Sequence, residues 1–322
     1  MRSLIFAAVC LALGWQSTEA RAGDMGSINA RQVNETAATV EVSADGHDRV
    51  ILTEAPVQGI GAAPRSVGVT YPLTPDWQNA LRRQVGGLKA ADMNSDGRID
   101  VVVGCYISSS FPPYTDWHDM IYYNTGTSLE ANPSWISADQ IHTGDIVVGD
   151  INKDTYPDIL AVSGGTSFSP PRIYFGSPTG PSTSPGWIAS PPTSGWATSG
   201  IMYDLDHDDD LDVFTTNQGV SPNAYRPMQG YLNNNGTLST TTFWLSAESS
   251  IQGSLAFADY NHDGWEDLAV SKWVDFETGV YHNLLGVMQT TPGWTCGTTG
   301  ADRGVAWAAV EHDGWDDLVV GR

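Results

Sequence analysis

In the stretch Ala91–Gly104, ADMNSDGRIDVVVG, oxygen-bearing side chains stand at alternate positions, Asp92, Asn94 and Asp96, and a further carboxylate follows at Asp100. Carboxylate and carboxamide oxygens spaced this way around a tight turn suit a hard divalent cation. The first half agrees with an EF-hand loop and the second half does not. Position 12, counted from Asp92, is Val103 instead of Glu. The exit through Ile99, Val101, Val102 and Val103 reads as a buried strand where an EF-hand enters a helix. The expectation is a cation loop closed at position 9 by Asp100, between two strands.

The pattern returns. Asp150, Asn152, Asp154 and Asp158 repeat it in GDINKDTYPDILAV; Asp204, Asp206, Asp208 and Asp212 in YDLDHDDDLDVF; Asp259, Asn261, Asp263 and Asp267 in ADYNHDGWEDLAV. A degenerate fifth copy has Ala309 in the first place, followed by Glu311, Asp313 and Asp317, and reads as weak or empty. Main-chain carbonyls at position 7, from Arg98, Tyr156, Asp210 and Trp265, complete the expected donor sets. Zinc would call for His or Cys and magnesium for a tighter octahedron, so calcium is expected, about four ions per chain. The 13 carboxylates in the four complete loops would be costly to cluster without cations. Gly97 and Gly264 fit a sharp turn at position 6; Thr155 and Asp209 replace them in the second and third loops, with Thr the more strained. His207, His262 and His312 fall at position 4 and read as facing solvent.

The elements that must hold these loops are marked by aromatic residues. Trp77, Trp135, Trp244 and Trp294 precede the first loop position by 15 residues and Trp187 by 17; Tyr122, Tyr174, Tyr231 and Tyr281 precede the next Trp by 13. Such fixed placement reads as core packing. With loops recurring every 50 to 58 residues, each unit reads as four short strands, the signature of a β-propeller blade. The expected fold is all-β: a propeller of four-stranded blades with the Asp-rich loops between strands 1 and 2. About five full blades and a C-terminal half blade are expected, with repeats starting near 77, 135, 187, 244 and 294. Residues 23–322 form one domain, in which 23–76 are a degenerate blade or ring-closing strands. Two explanations of the half blade stand open: N-terminal strands complete it, or the chain is a fragment of a longer, seven-bladed ring.

Over about residues 77 to 322 these repeats resemble the FG-GAP or VCBS family, whose blades build calcium-binding propellers such as the head of integrin α-subunits. The resemblance implies calcium ligation by Asp92, Asn94, Asp96 and Asp100 and by their counterparts in the next three loops, and it puts the fifth loop in doubt at Ala309.

Residues 1–22 carry a basic start, an apolar run from Leu4 to Leu13 and a small-residue site at Ala20–Ala22, which reads as a signal peptide with cleavage near Ala22 and implies a secreted or periplasmic protein. No other segment approaches a membrane span. In that oxidising setting Cys105 and Cys296 could pair or stay as isolated thiols. A formal charge of −22 argues against nucleic acid and anionic membrane as partners.

Strand alternation places the loops between strands 2 and 3 on the face opposite the acidic loops. They offer Phe111, Tyr114, Trp117, His118 and Asp119; Phe168 and Arg172; Tyr225 and Arg226; Trp273 and Asp275. Rings beside a few charged groups suit a glycan or a protein partner. The expected function is therefore an exported adhesion or recognition module, not an enzyme. No G-x-S-x-G or Cys–His pairing appears. The alternative is a polysaccharide lyase using His118, Tyr114 and Arg172.

Overall fold

The structure, a computed structural model, describes residues 36–42, 48–54, 77, 84–106, 117–163, 169–192, 195–218, 225–310 and 314–321. The expected signal peptide, residues 1–22, and the predicted site residues Phe111, Tyr114, Phe168, Glu311 and Asp313 lie outside these, as do His312 and the side chain of Asp275.

All regular structure among the described residues is β. Thr36–Val42 (β1) pairs with Asp48–Glu54 (β2). The first four-stranded sheet is Val85–Ala91 (β3), Asp100–Cys105 (β4), Met120–Tyr122 (β5) and Trp135–Ile136 (β6), paired in chain order. The second is Thr143–Gly149 (β7), Asp158–Ser163 (β8), Arg172–Tyr174 (β9) and Trp187–Ile188 (β10). The third takes Gly200–Tyr203 (β11), Asp212–Thr215 (β12) and Gln229–Tyr231 (β13). After a small hairpin, Asn233–Asn234 (β14) with Thr237–Leu238 (β15), it adds Trp244–Leu245 (β16). The fourth sheet joins Ile251–Ala258 (β17) and Asp267–Tyr281 (β18). The hairpin Asn283–Leu284 (β19) with Val287–Met288 (β20) then precedes its third strand, Trp294–Ala301 (β21). Gly304–Ala308 (β22) and Asp317–Gly321 (β23) form a last two-stranded sheet. All pairings are antiparallel.

Burial follows position in the sheet. The second strands DVVVGC and DILAVS are buried at every residue: DILAVS lies between two neighbouring sheets, while DVVVGC packs on the second sheet through Val102 and is covered on its other face by Trp77, Trp117 and Leu129. The two-residue fourth strands turn Trp inward and Ile outward. One apolar cluster joins Val102, Ile121 and Trp135 of the first sheet to Ile146, Ile159 and Tyr174 of the second. The next joins Leu160, Ile173 and Trp187 to Val213 and Tyr231; a third joins Phe214 and Trp244 to Leu268 and Tyr281. The first strands β3, β7, β11, β17 and β22 pack side by side in that order. Gly87 permits the approach of β3 to β7, since a Cβ there would lie 2.4 Å from the Ile146 amide nitrogen.

The aromatic markers are the seams of this stack. Trp77 meets Tyr122 edge-on at 5.2 Å, Trp135 meets Tyr174 at 5.5 Å, Trp187 meets Tyr231 at 5.4 Å and Trp244 meets Tyr281 at 5.8 Å. Each pair except the first, whose Trp stands outside a strand, links the fourth strand of one sheet to the next sheet. Trp294, the fifth, is 43% exposed.

The fourth repeat departs from the expected four strands. Only 14 residues separate Asp267 from Tyr281, against 22, 16 and 19 in the earlier repeats. That leaves no room for a separate loop, and β18 runs through both strand positions, pairing with β17 at its start and β21 at its end. Cys105 is buried and Cys296 partly so, and neither is in a disulfide.

Candidate cation-binding loops

The acidic loops connect first to second strands in all four complete repeats, and they share one conformation. Position 4 is left-handed in each: Ser95, Lys153, His207 and His262 have φ of 56–60°. Position 6 is left-handed as well, with Gly97 at 82°, Thr155 at 76°, Asp209 at 67° and Gly264 at 87°. Two such residues within three fold the chain back on its first carboxylate. One oxygen of Asp92, Asp150, Asp204 and Asp259 accepts the position 5 amide at 3.0–3.1 Å. The other accepts the position 6 amide at 2.8–3.0 Å. The position 5 carboxylate in turn accepts the position 7 amide at 2.9–3.0 Å. Asn94, Asn152 and Asn261 accept the position 5 amide, and Asn152 and Asn261 also donate Nδ2 to the position 5 carboxylate at 3.0 and 3.1 Å; Asp206 accepts no such amide bond.

The ninth residues, Asp100, Asp158, Asp212 and Asp267, are fully or almost fully buried. Sequence reading gave them cation ligation alone; the fold also gives them a tie. In the first three loops one oxygen accepts the position 2 amide of Met93, Ile151 or Leu205. In all four the other accepts an amide two residues beyond the registered Tyr, from Asn124, Gly176, Asn233 or Asn283, at 2.6–2.8 Å. A carboxylate oxygen has a second lone pair, so the tie leaves room for a cation. Burial pushes Asp158 and Asp267 up to about 6 and Asp212 up to about 7; the nearby loop carboxylates push the same way and the amide bonds oppose it. Asp100 shifts in the same direction for the same leading cause.

Several features fit these residues to calcium. Oxygens of Asp204, Asp206 and Asp208 lie within 4.8 Å of one another. Asp206 Oδ1 and Asp267 Oδ2 are buried with no hydrogen-bond partner. Asp206 is shifted upward by burial and then by Asp208 and Asp204. The donors are all oxygen, with several carboxylates per loop. A divalent cation in the third loop and another in the fourth would satisfy one orphaned oxygen each and offset the carboxylate repulsion. The fifth loop keeps the turn at Gly314, φ 93°, and the tie from Val310 N to Asp317 Oδ2, 2.8 Å, but has Ala309 where the first carboxylate belongs.

Position 4 does more than face solvent. His207 is exposed, yet its ring stacks on Trp265 of the next loop at 4.5 Å and 6°, and its Nε2 lies 2.9 Å from Glu266. His262 stacks on Trp315 at 4.0 Å. Lys153 Nζ lies 2.6 Å from Asp210 Oδ1. Each joins position 4 of one loop to position 7 of the next. Sequence reading also missed Asn124, Asn233 and Asn283, although the repeated Asn in IYYN, GYLN and VYHN was the available signal.

On the other face, among the described residues, the predicted contact rings each pack on a different partner. Trp117 packs on His142 at 5.0 Å, Tyr225 on Phe276 at 5.3 Å, and Trp273 lies under the Arg303 guanidinium at 3.9 Å. Arg226 is partly buried and its carbonyl accepts Gln252 Nε2. Two residues offered to a ligand are structural instead. Arg172 opens β9, buried against Asp139, which also accepts the Tyr174 hydroxyl; Glu248 with Lys272 and Tyr281 repeats this arrangement. A buried guanidinium needs such a partner. Asp119 is fully buried, accepts Cys105 N and Thr143 Oγ1, and is pushed up to about 7 by burial.

Repeated antiparallel sheets, stacked through Trp–Tyr seams and bearing acidic hairpin loops, define an all-β repeat protein. Residues 92–161 match the family model described as FG-GAP-like repeat, so the first two acidic loops and the strands between them are of that family. No curated protein matches the chain. No helix among the described residues is long and apolar enough to cross a membrane.

Proposed function

We propose that this is an exported, calcium-stabilised β-propeller acting as a recognition or adhesion module, with a glycan or protein partner on the face opposite the acidic loops. The observation that carries the calcium reading is the identical folding of four loops around converging carboxylates, two of whose buried oxygens have no partner. In each loop positions 1, 3, 5 and 9 would hold the ion through side chains and position 7 through its carbonyl. The bound ion would supply charge neutralisation and rigidity, not chemistry. The FG-GAP-like match supports an interaction module. The commitment of Arg172 to Asp139 counts against a lyase.

Binding only to the folded state adds roughly 2.7 kcal/mol per site when free calcium is a hundredfold above its dissociation constant. Thermal unfolding in calcium and in chelator tests this: a large fall in Tm is expected in chelator, and an unchanged Tm overturns the calcium reading. A glycan array, with Trp117→Ala and Trp273→Ala compared for retained calcium-dependent melting, tests the recognition face. Release of unsaturated product from an anionic polysaccharide would instead establish a lyase.

A further inference from the structure

On the calcium reading above, on which this rests, we infer that the second, third and fourth loops form one coupled cation-binding unit, while the first loop binds independently. Asn233 and Asn283 are the positioning residues that couple them.

Asn233 is buried between two loops. Its amide nitrogen donates to Asp212 at position 9 of the third loop, while its Nδ2 donates to Ile151 O of the second loop at 2.7 Å and to Leu211 O of the third at 3.1 Å. Asn283 does the same one repeat on. Its N donates to Asp267 of the fourth loop, and its Nδ2 donates to Leu205 O of the third at 2.9 Å. The residue three places on comes close to the preceding loop in both cases. A Cβ on Gly236 would lie 2.7 Å from Asn152 O, and one on Gly286 would lie 3.0 Å from Asp206 Cβ. Asn152 and Asp206 are the position 3 donors of their loops, so any shift of that donor moves the turn beside it. Across the surface, Lys153–Asp210 and His207 on Trp265 and Glu266 join the same pairs of loops a second time.

The first joint lacks these parts. Gly176 occupies the place of Asn233 and has no side chain to reach the first loop, while the first loop carries Ser95 where the others carry Lys or His. Asn124 turns its Nδ2 to Ile99 O of its own loop. The chain therefore contains its own comparison: two bridged joints and one unbridged.

Calcium titration calorimetry on the full chain tests this with three variants. Asp208→Ala, an exposed change that disables the third loop, should lower the affinity of two remaining sites by roughly five- to tenfold and leave one unchanged, the scale of ordinary coupling between sites. Asp96→Ala, disabling the first loop, should leave the other three sites at parental affinity. Asn283→Ala keeps every carboxylate, and in that background Asp208→Ala should weaken the fourth loop markedly less than in the parent, with the His207 contact still in place. Three unaltered sites in Asp208→Ala would overturn the coupling while leaving the calcium reading intact. Equal effects of Asp96→Ala and Asp208→Ala on their neighbours would overturn the role of the Asn bridges. A parent chain that takes up no calcium would overturn the reading on which the coupling rests.

Discussion

Thr155 sits at φ 76° where two sibling loops place glycine, and a β-branched side chain in the left-handed region costs about 1–2 kcal/mol. Thr155→Gly should therefore stabilise the chain by about 1 kcal/mol in urea unfolding, less the entropy glycine adds to the unfolded chain. Asp209, at φ 67°, should gain less from the same change, because Asp tolerates that region better. The ninth carboxylates set a pH dependence. Asp158 and Asp267 are pushed up to about 6 and Asp212 to about 7, burial being the main cause, against about 4 in an unfolded chain. Between those values the folded, cation-free protein holds more protons than the unfolded one, so its stability falls as pH rises from about 4 to about 7. Calcium must displace those protons, so its affinity rises over the same window. In chelator the melting temperature should be higher at about pH 5 than at about pH 7.5; in saturating calcium the order should reverse.

At the scale of the strands, the two-residue fourth strand depends on its Trp. Trp135 is buried against Tyr174 and donates its indole N–H to Pro181 O at 2.8 Å, so Trp135→Ala should cost about 3–5 kcal/mol. Trp294 is 43% exposed, and its replacement should cost well under half as much in the same urea titration. Equal losses would mean that Trp294 is covered in solution. The strand order, the acidic loops between first and second strands and the Trp–Tyr register were legible because they are periodic along the chain. The seam between repeats was not. Asn233 acts on Ile151, 82 residues away, and a repeat pattern shows what recurs without showing which neighbour it recurs against. Arg172 and Asp119 were read as loop residues offering charge to a ligand, because sequence does not show that a partner, Asp139 or Thr143, waits inside. The position 4 histidines looked merely exposed for the same reason: the ring partners of His207 and His262 lie one loop further on.

For the molecule as a whole, four divalent ions would bring the formal net charge of −22 up by eight units. The chain should elute from an anion exchanger at lower salt in calcium than in chelator, and the cation-free form should gain stability from added salt as its carboxylates are screened. The stacked seams also carry an optical consequence. In four places an indole lies 5.2–5.8 Å from a phenol ring, far inside the distance over which excited tyrosine passes energy to tryptophan. Excited in the tyrosine band, the folded chain should emit almost wholly as tryptophan despite its 12 tyrosines. Three of these pairs span neighbouring sheets, so the return of tyrosine emission during unfolding would report sheets coming apart, ahead of or behind the melting of strands within any one of them.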